Sequence, residues 1–243
     1  MYKPSCERDM LMGKAFADDD SKLYFLVRTV NGCKKIFASF TKRYRALSQN
    51  TIVEVVDELY NDKLFGACEI KNWMVSNSET IISLMFPDLT EGAFTPGIMF
   101  QTSDTGKSSF KVISLMYVKT GISKHQCLML EETTIPHRAG YENCLRDVVL
   151  QCREVYKKFL TGIEDMKKSA AASTQFFDVC SLELRKSCIK KITDYVEKSS
   201  AATSLYDQYS GVIKGVDVLD LGKSNTTKVL KCLGEIPLRI GGE

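Results

Sequence analysis

The residues that could do chemistry here are two Gly-Lys-Ser triplets, two histidines, nine cysteines and two runs of basic side chains. Gly106-Lys107-Ser108 and Gly222-Lys223-Ser224 invite comparison with a phosphate loop. Such a loop needs another glycine five positions before the Gly-Lys pair, so that backbone amides can wrap the phosphates. Gln101 and Asp217 stand there instead, so no nucleotide cofactor is expected. His125 and His137 form no paired ligand motif, and Cys127 lies two residues from His125 on a strand pattern that sets no metal geometry. No metal and no other cofactor is expected. Nothing in the cysteine spacing favours a Cys–His nucleophile, and a small buried hydrophobe is the default for each thiol. Glu131-Glu132 are neighbours on a strand end and point apart, which makes a poor acid–base pair. Asp18-Asp19-Asp20 reads as a solvated turn. His137-Arg138, between Pro136 and Gly140, sits on a predicted loop; it could contact phosphate, act in proton transfer or donate a loop hydrogen bond.

The basic runs are the better lead. Residues 21–53 hold Lys22, Arg28, Lys34, Lys35, Lys42, Arg43 and Arg45 and no acid. Residues 105–130 hold Lys107, Lys111, Lys119 and Lys124, again with no acid. Lys34, Lys35, Lys42, Arg43 and Arg45 lie among Phe37, Phe40 and Tyr44. Cations for phosphates interleaved with rings for base stacking are what a single-strand groove needs. The same lysines would also protect a sheet edge from aggregation. The net charge of +3 is small, so global charge announces no nucleic-acid partner.

Those side chains need elements to position them. The strongest signal is residues 94–118. Residues 98–102 alternate, Ser103 to Lys107 is turn chemistry with Gly106 free to take positive φ, and residues 108–118 are rich in β-branched and aromatic types. This predicts a hairpin turning within 103–107, between strands that begin near Ile98 and Ser108. On the second strand Lys107, Ser109 and Lys111 share a polar face, and Ser108, Phe110 and Val112 share the other. Upstream, residues 22–30 and 33–40 flank Asn31-Gly32 as a tighter hairpin. A helix is predicted over 51–60, strands over 65–75, 80–86 and 126–130, and a loop over 87–96. From residue 141 to about 166 apolar residues recur on one helical stripe, Leu145, Val149, Cys152, Tyr156, Phe159 and Ile163 among them. A second helix is predicted over 182–198 and a glycine-interrupted third from 204. A last short one covers 226–233, closed by Gly234 as the residue after the cap and by Pro237 beyond. The expected organisation is a lead-in at 1–20, a β-rich core with one internal helix at 21–140, and a helical part at 141–243 packing on the sheet. Strands first and helices after is the α+β pattern, with an antiparallel sheet. At 44% hydrophobic the chain can bury a sizeable core.

The odd number of cysteines, the lack of a CxxC and the polar first dozen residues fit a reducing cytoplasm with free thiols. No apolar run approaches the ~20 residues of a membrane-spanning helix. Exposed sheet edges and wide apolar helix stripes make a homo-oligomer an expectation.

Several short motifs resemble a known family. They are Thr41-Lys42-Arg43-Tyr44-Arg45 before a helix, Pro96-Gly97-Ile98-Met99-Phe100-Gln101-Thr102-Ser103-Asp104-Thr105-Gly106 with Ser108-Ser109-Phe110, then His137-Arg138-Ala139-Gly140 and Leu205-Tyr206-Asp207. Together they are similar to phage- and plasmid-borne proteins built on a conserved domain of unknown function. The likeness is patchy and spans residues 39–242. Where members of that family carry a Cys-containing Asn-Gly segment, this chain has Val118-Lys119-Thr120-Gly121. The resemblance implies a mobile-element origin and no particular reaction. A hairpin-rich sheet followed by helices also looks like the annealing proteins of Rad-type recombination, as an analogy of architecture. Two functions are expected ahead of a third, an unrecognised hydrolase using His137. One is a non-enzymatic nucleic-acid-binding protein, of single-strand binding or annealing type, using Lys34, Lys35, Lys42, Arg43, Tyr44, Arg45, Lys107, Lys111, His137 and Arg138. The other is a structural or interaction protein of a phage, such as a virion component or counter-defence factor.

Overall fold

The structure, a computed structural model, describes residues 9–13, 23–41, 49–61, 65–75, 79–103, 109–121, 125–135, 141–170, 184, 186–199, 204–216, 218–219 and 221–241. Two antiparallel sheets come first. One joins β1 (Asp9–Gly13), β2 (Leu23–Val30) and β3 (Cys33–Thr41) in that order. β1 pairs with β2 inside the stretch expected to be a lead-in. After helix α1 (Gln49–Asn61) comes a five-stranded meander of β4 (Glu69–Val75), β5 (Thr80–Met85), β6 (Phe94–Thr102), β7 (Phe110–Lys119) and β8 (His125–Ile135). Among the described residues four helices follow: α2 (Tyr141–Lys168), α3 (Lys186–Ser199), α4 (Leu205–Val216) and α5 (Lys223–Ile240). The α+β class with an antiparallel sheet and a helical C-terminal part is thus realised.

The central hairpin forms as the alternation requires, with Phe94 opposite Val118 and Gln101 opposite Lys111. The strands end at Thr102 and resume at Phe110; the turn expected within 103–107 falls almost wholly on residues 104–108, which lie outside those described. Phe110 and Val112 are buried, and Lys111 faces the other way. The first strand starts at Phe94, four residues earlier than the sequence indicates, and so takes in Pro96 and Gly97. Proline lacks a donor and is ordinarily kept out of central strands. Here the neighbouring strand has ended. Phe86 N donates to Pro96 O at 2.9 Å, so the missing Pro96 donor faces the Phe86 carbonyl. That carbonyl accepts from Leu89 N at 3.1 Å, inside the 3-10 turn Pro87–Leu89. No acceptor is orphaned, and the strand continues through proline.

Gly97 has a different reason. A Cβ there would collide with the Leu84 carbonyl oxygen and the Tyr117 ring. On the opposite side Tyr156 of α2 donates its hydroxyl to Gly97 O at 2.6 Å. The strand is clasped between two tyrosines, and only glycine leaves room.

The helices pack on one face of the meander. Leu145, Val149, Cys152, Tyr156, Phe159, Ile163 and Met166 of α2 share one core with Ile82, Leu84, Ile98, Phe100, Met116 and Leu128 of the strands. Phe159 meets Phe94 edge-on at 5.5 Å, and Phe65 stacks on Phe86 at 4.5 Å. Each such side chain, fully buried, contributes about 1.5–3 kcal/mol. Met85, Ile113, Leu115 and Tyr117 form a smaller cluster on the other face.

Two expectations in the helical half are corrected. Gly211 and Gly215 lie inside α4 and do not interrupt it; Gly215 leaves room for the Tyr195 ring of α3. Its start is a capping box: Asp207 N donates to Ser204 Oγ at 3.1 Å, and Ser204 N donates to Asp207 Oδ2 at 3.0 Å. The last helix does not stop at Leu233; α5 runs through Gly234 and Pro237 to Ile240. Gly234 lies so close to the Met129 carbonyl of β8 that a side chain would clash. Pro237 deprives the Leu233 carbonyl of its helical donor. The buried Tyr209 hydroxyl of α4 replaces that donor, at 2.9 Å from Leu233 O.

Candidate nucleic-acid interface

The β2–β3 hairpin carries Lys34 and Lys35 beside its turn. Asn31 at φ 54° and Gly32 at φ 77° make the left-handed two-residue turn that matches strand twist. Val30 pairs with Cys33, Thr29 with Lys34 and Arg28 with Lys35. The run 31–36 is exposed throughout, Ile36 at 66%. Adjacent strand residues point to opposite faces, so Lys34 and Lys35 give the hairpin one cation on each face.

Lys111 lies on the other sheet. Its Nζ is 2.7 Å from Glu132 Oε1 across the β7–β8 pair, and both side chains are partly exposed. Glu131 and Glu132 face Ser114 and Ile113 respectively, on opposite sides of β8. Lys42, Arg43, Tyr44, Arg45, Lys107, His137 and Arg138 lie outside the described residues. The described members thus fall on two sheets, two on β3 and one on β7.

Sequence reasoning missed the cations of the helical half. Lys186, Lys190 and Lys191 of α3 and Lys223 and Lys228 of α5 are all exposed. Their signal was there: residues 184–193 and 221–234 are themselves short acid-free basic runs, set within amphipathic helical patterns whose polar positions read as an ordinary solvated face. Between α5 and β8 runs an open groove of about 650 Å³ with Ile113, Met129 and Leu238 in its lining. Its charges compensate one another: Arg239 meets Glu235 at 3.0 Å and Lys231 lies 3.8 Å from the same carboxylate. It is not an anion site.

The buried polar groups are held in their neutral forms. Burial pushes the Cys127 thiol up to about 12, with the Tyr117 hydroxyl beside it pulling slightly the other way. Burial also raises Tyr117, Cys152 and Tyr156. A nucleophilic cysteine needs its thiolate favoured, and these environments do the reverse. Cys33, by contrast, is exposed at the hairpin turn. Among the described residues no three His, Cys, Asp or Glu side chains gather in a way that could hold a metal ion. Nor is any helix among them long and apolar enough to cross a membrane. No protein-family model, curated protein or solved structure matches the chain.

Proposed function

We propose that this chain is a non-enzymatic nucleic-acid-binding protein of a phage or plasmid, contacting single strands through the β2–β3 hairpin. One observation carries the reading. An exposed, well-formed turn displays Lys34 and Lys35 within a stretch, 21–53, that contains seven basic residues and no acid. Lysines on an exposed turn attract phosphates, and neutralising phosphates releases counterions. Lys111 contributes less, because Glu132 already offsets its charge. Arg43 and Arg45 follow on the chain after β3 and extend the same basic segment.

The test is titration of a fluorescent oligothymidylate by anisotropy at several salt concentrations. Affinity should fall steeply with salt. The Lys34→Ala/Lys35→Ala variant should flatten the log–log slope by about 1.4, at roughly 0.7 per phosphate contact on a single strand. Absence of binding at low salt, or an unchanged slope in the variant, would remove the proposal. The second reading, a structural or interaction protein of a phage, then takes its place. It is favoured by the exposed apolar side chains of β4, Ile70, Trp73 and Met74.

A further inference from the structure

The two edges of the five-stranded sheet differ. β8 is covered by α5, which lies against the Met129 carbonyl through Gly234. β4 is the other edge, and among the described residues no strand pairs with its outer side. Residues 69–74 are all exposed, with Ile70 at 56%, Trp73 at 45% and Met74 at 41%. An unpaired strand edge is a row of free donors and acceptors that templates another strand.

Edges are ordinarily blunted by lysine or by a bulge. β4 has both, and neither blunts it. The irregularity between Ile70 and Asn72 leaves Lys71 as an extra residue, opposite no residue of β5. It carries Ile70, opposite Leu84, and Trp73, opposite Ile82, onto the same face, although they are three positions apart. The lysine is neutralised in place: Lys71 Nζ lies 2.8 Å from Glu69 Oε2. Over Glu69–Val75 there is one anion and one cation, so an approaching copy meets no net repulsion.

We infer that β4 is a self-pairing edge, at which two copies of this chain join antiparallel about a two-fold axis through Ile70. That register sets Glu69 of each copy opposite Lys71 of the other, giving two cross-strand ion pairs from one isologous contact. Ile70 meets its own copy at the axis. The occupant is a second copy because this charge pattern complements itself when reversed. A nucleic acid would gain nothing from an edge without net charge.

Sedimentation velocity on the full chain, from low to tens of micromolar, tests this. Wild type should form dimers. Glu69→Lys alone and Lys71→Glu alone each place like charges across the axis and should weaken dimerisation about tenfold. The double reversal Glu69→Lys/Lys71→Glu restores the complement and should return to within about threefold of wild type. Ile70→Lys should leave a monomer, with its far-UV circular dichroism unchanged as proof of folding. A wild type that stays monomeric overturns the inference. So does a dimer indifferent to the single reversals, or one that the double reversal fails to restore. Binding of oligothymidylate by a monomer would leave the proposed function standing while this inference fell.

Discussion

At the scale of single residues, the buried thiols and phenols couple stability to pH. Cys127 is raised from 9.0 to about 12 by burial, and Cys152, Tyr117 and Tyr156 move in the same direction. Below pH 9 the Cys127 thiol is protonated in both folded and unfolded chains, so its contribution to stability is fully present. Between 9 and about 12 the unfolded chain gives up the proton first, and that contribution is lost as pH rises. Thermal unfolding followed by circular dichroism should therefore show a falling Tm from about pH 9 upward, and Cys127→Ala should make the fall shallower. A Tm that holds steady to about pH 10, or an equal fall in the variant, would contradict this account. The neutral state of these groups was not legible in the sequence. Cys127 and Tyr117 face each other across β7 and β8, and only the strand register brings them together.

At the scale of elements, the periodic patterns were legible because they are local. Asn31-Gly32 between two alternating runs makes a hairpin, and the apolar stripe from Leu145 to Met166 makes α2, whatever surrounds them. Punctuation was misread. Pro96 and Pro237 look like ends, and each ends an element only if the acceptor it deprives goes unsatisfied. Leu89 N serves the Phe86 carbonyl and Tyr209 serves the Leu233 carbonyl. The second case gives a prediction. Tyr209→Phe keeps the ring but strands a buried carbonyl, and should cost about 1–3 kcal/mol in urea denaturation. A loss below a few tenths of a kcal/mol would mean that α5 tolerates Pro237 without this hydrogen bond.

At the scale of the molecule, sheet and helices share one core. Val229, Cys232, Leu233 and Ile236 of α5 lie in the same cluster as the strands and α2. Gly162 of α2 approaches the Pro237 carbonyl so closely that no side chain would fit. Removing residues 223–243 should strip that core and expose Leu128 and Leu130 of β8. The truncated chain should bind the dye ANS and lose the cooperative unfolding of the full chain. A truncation that unfolds with the same midpoint would show α5 to be an appendage. Composition and periodicity by themselves determined the α+β class, the hairpins, the helical stripes and the acid-free basic run, because these depend on near neighbours in the chain. The tertiary structure decided which glycines and prolines sit inside elements, which lysines are offset by carboxylates and which sheet edge is left unpaired among the described residues. Those outcomes depend on partners far off in sequence, such as Tyr209 for Leu233 and Glu132 for Lys111, which meet only when the core closes.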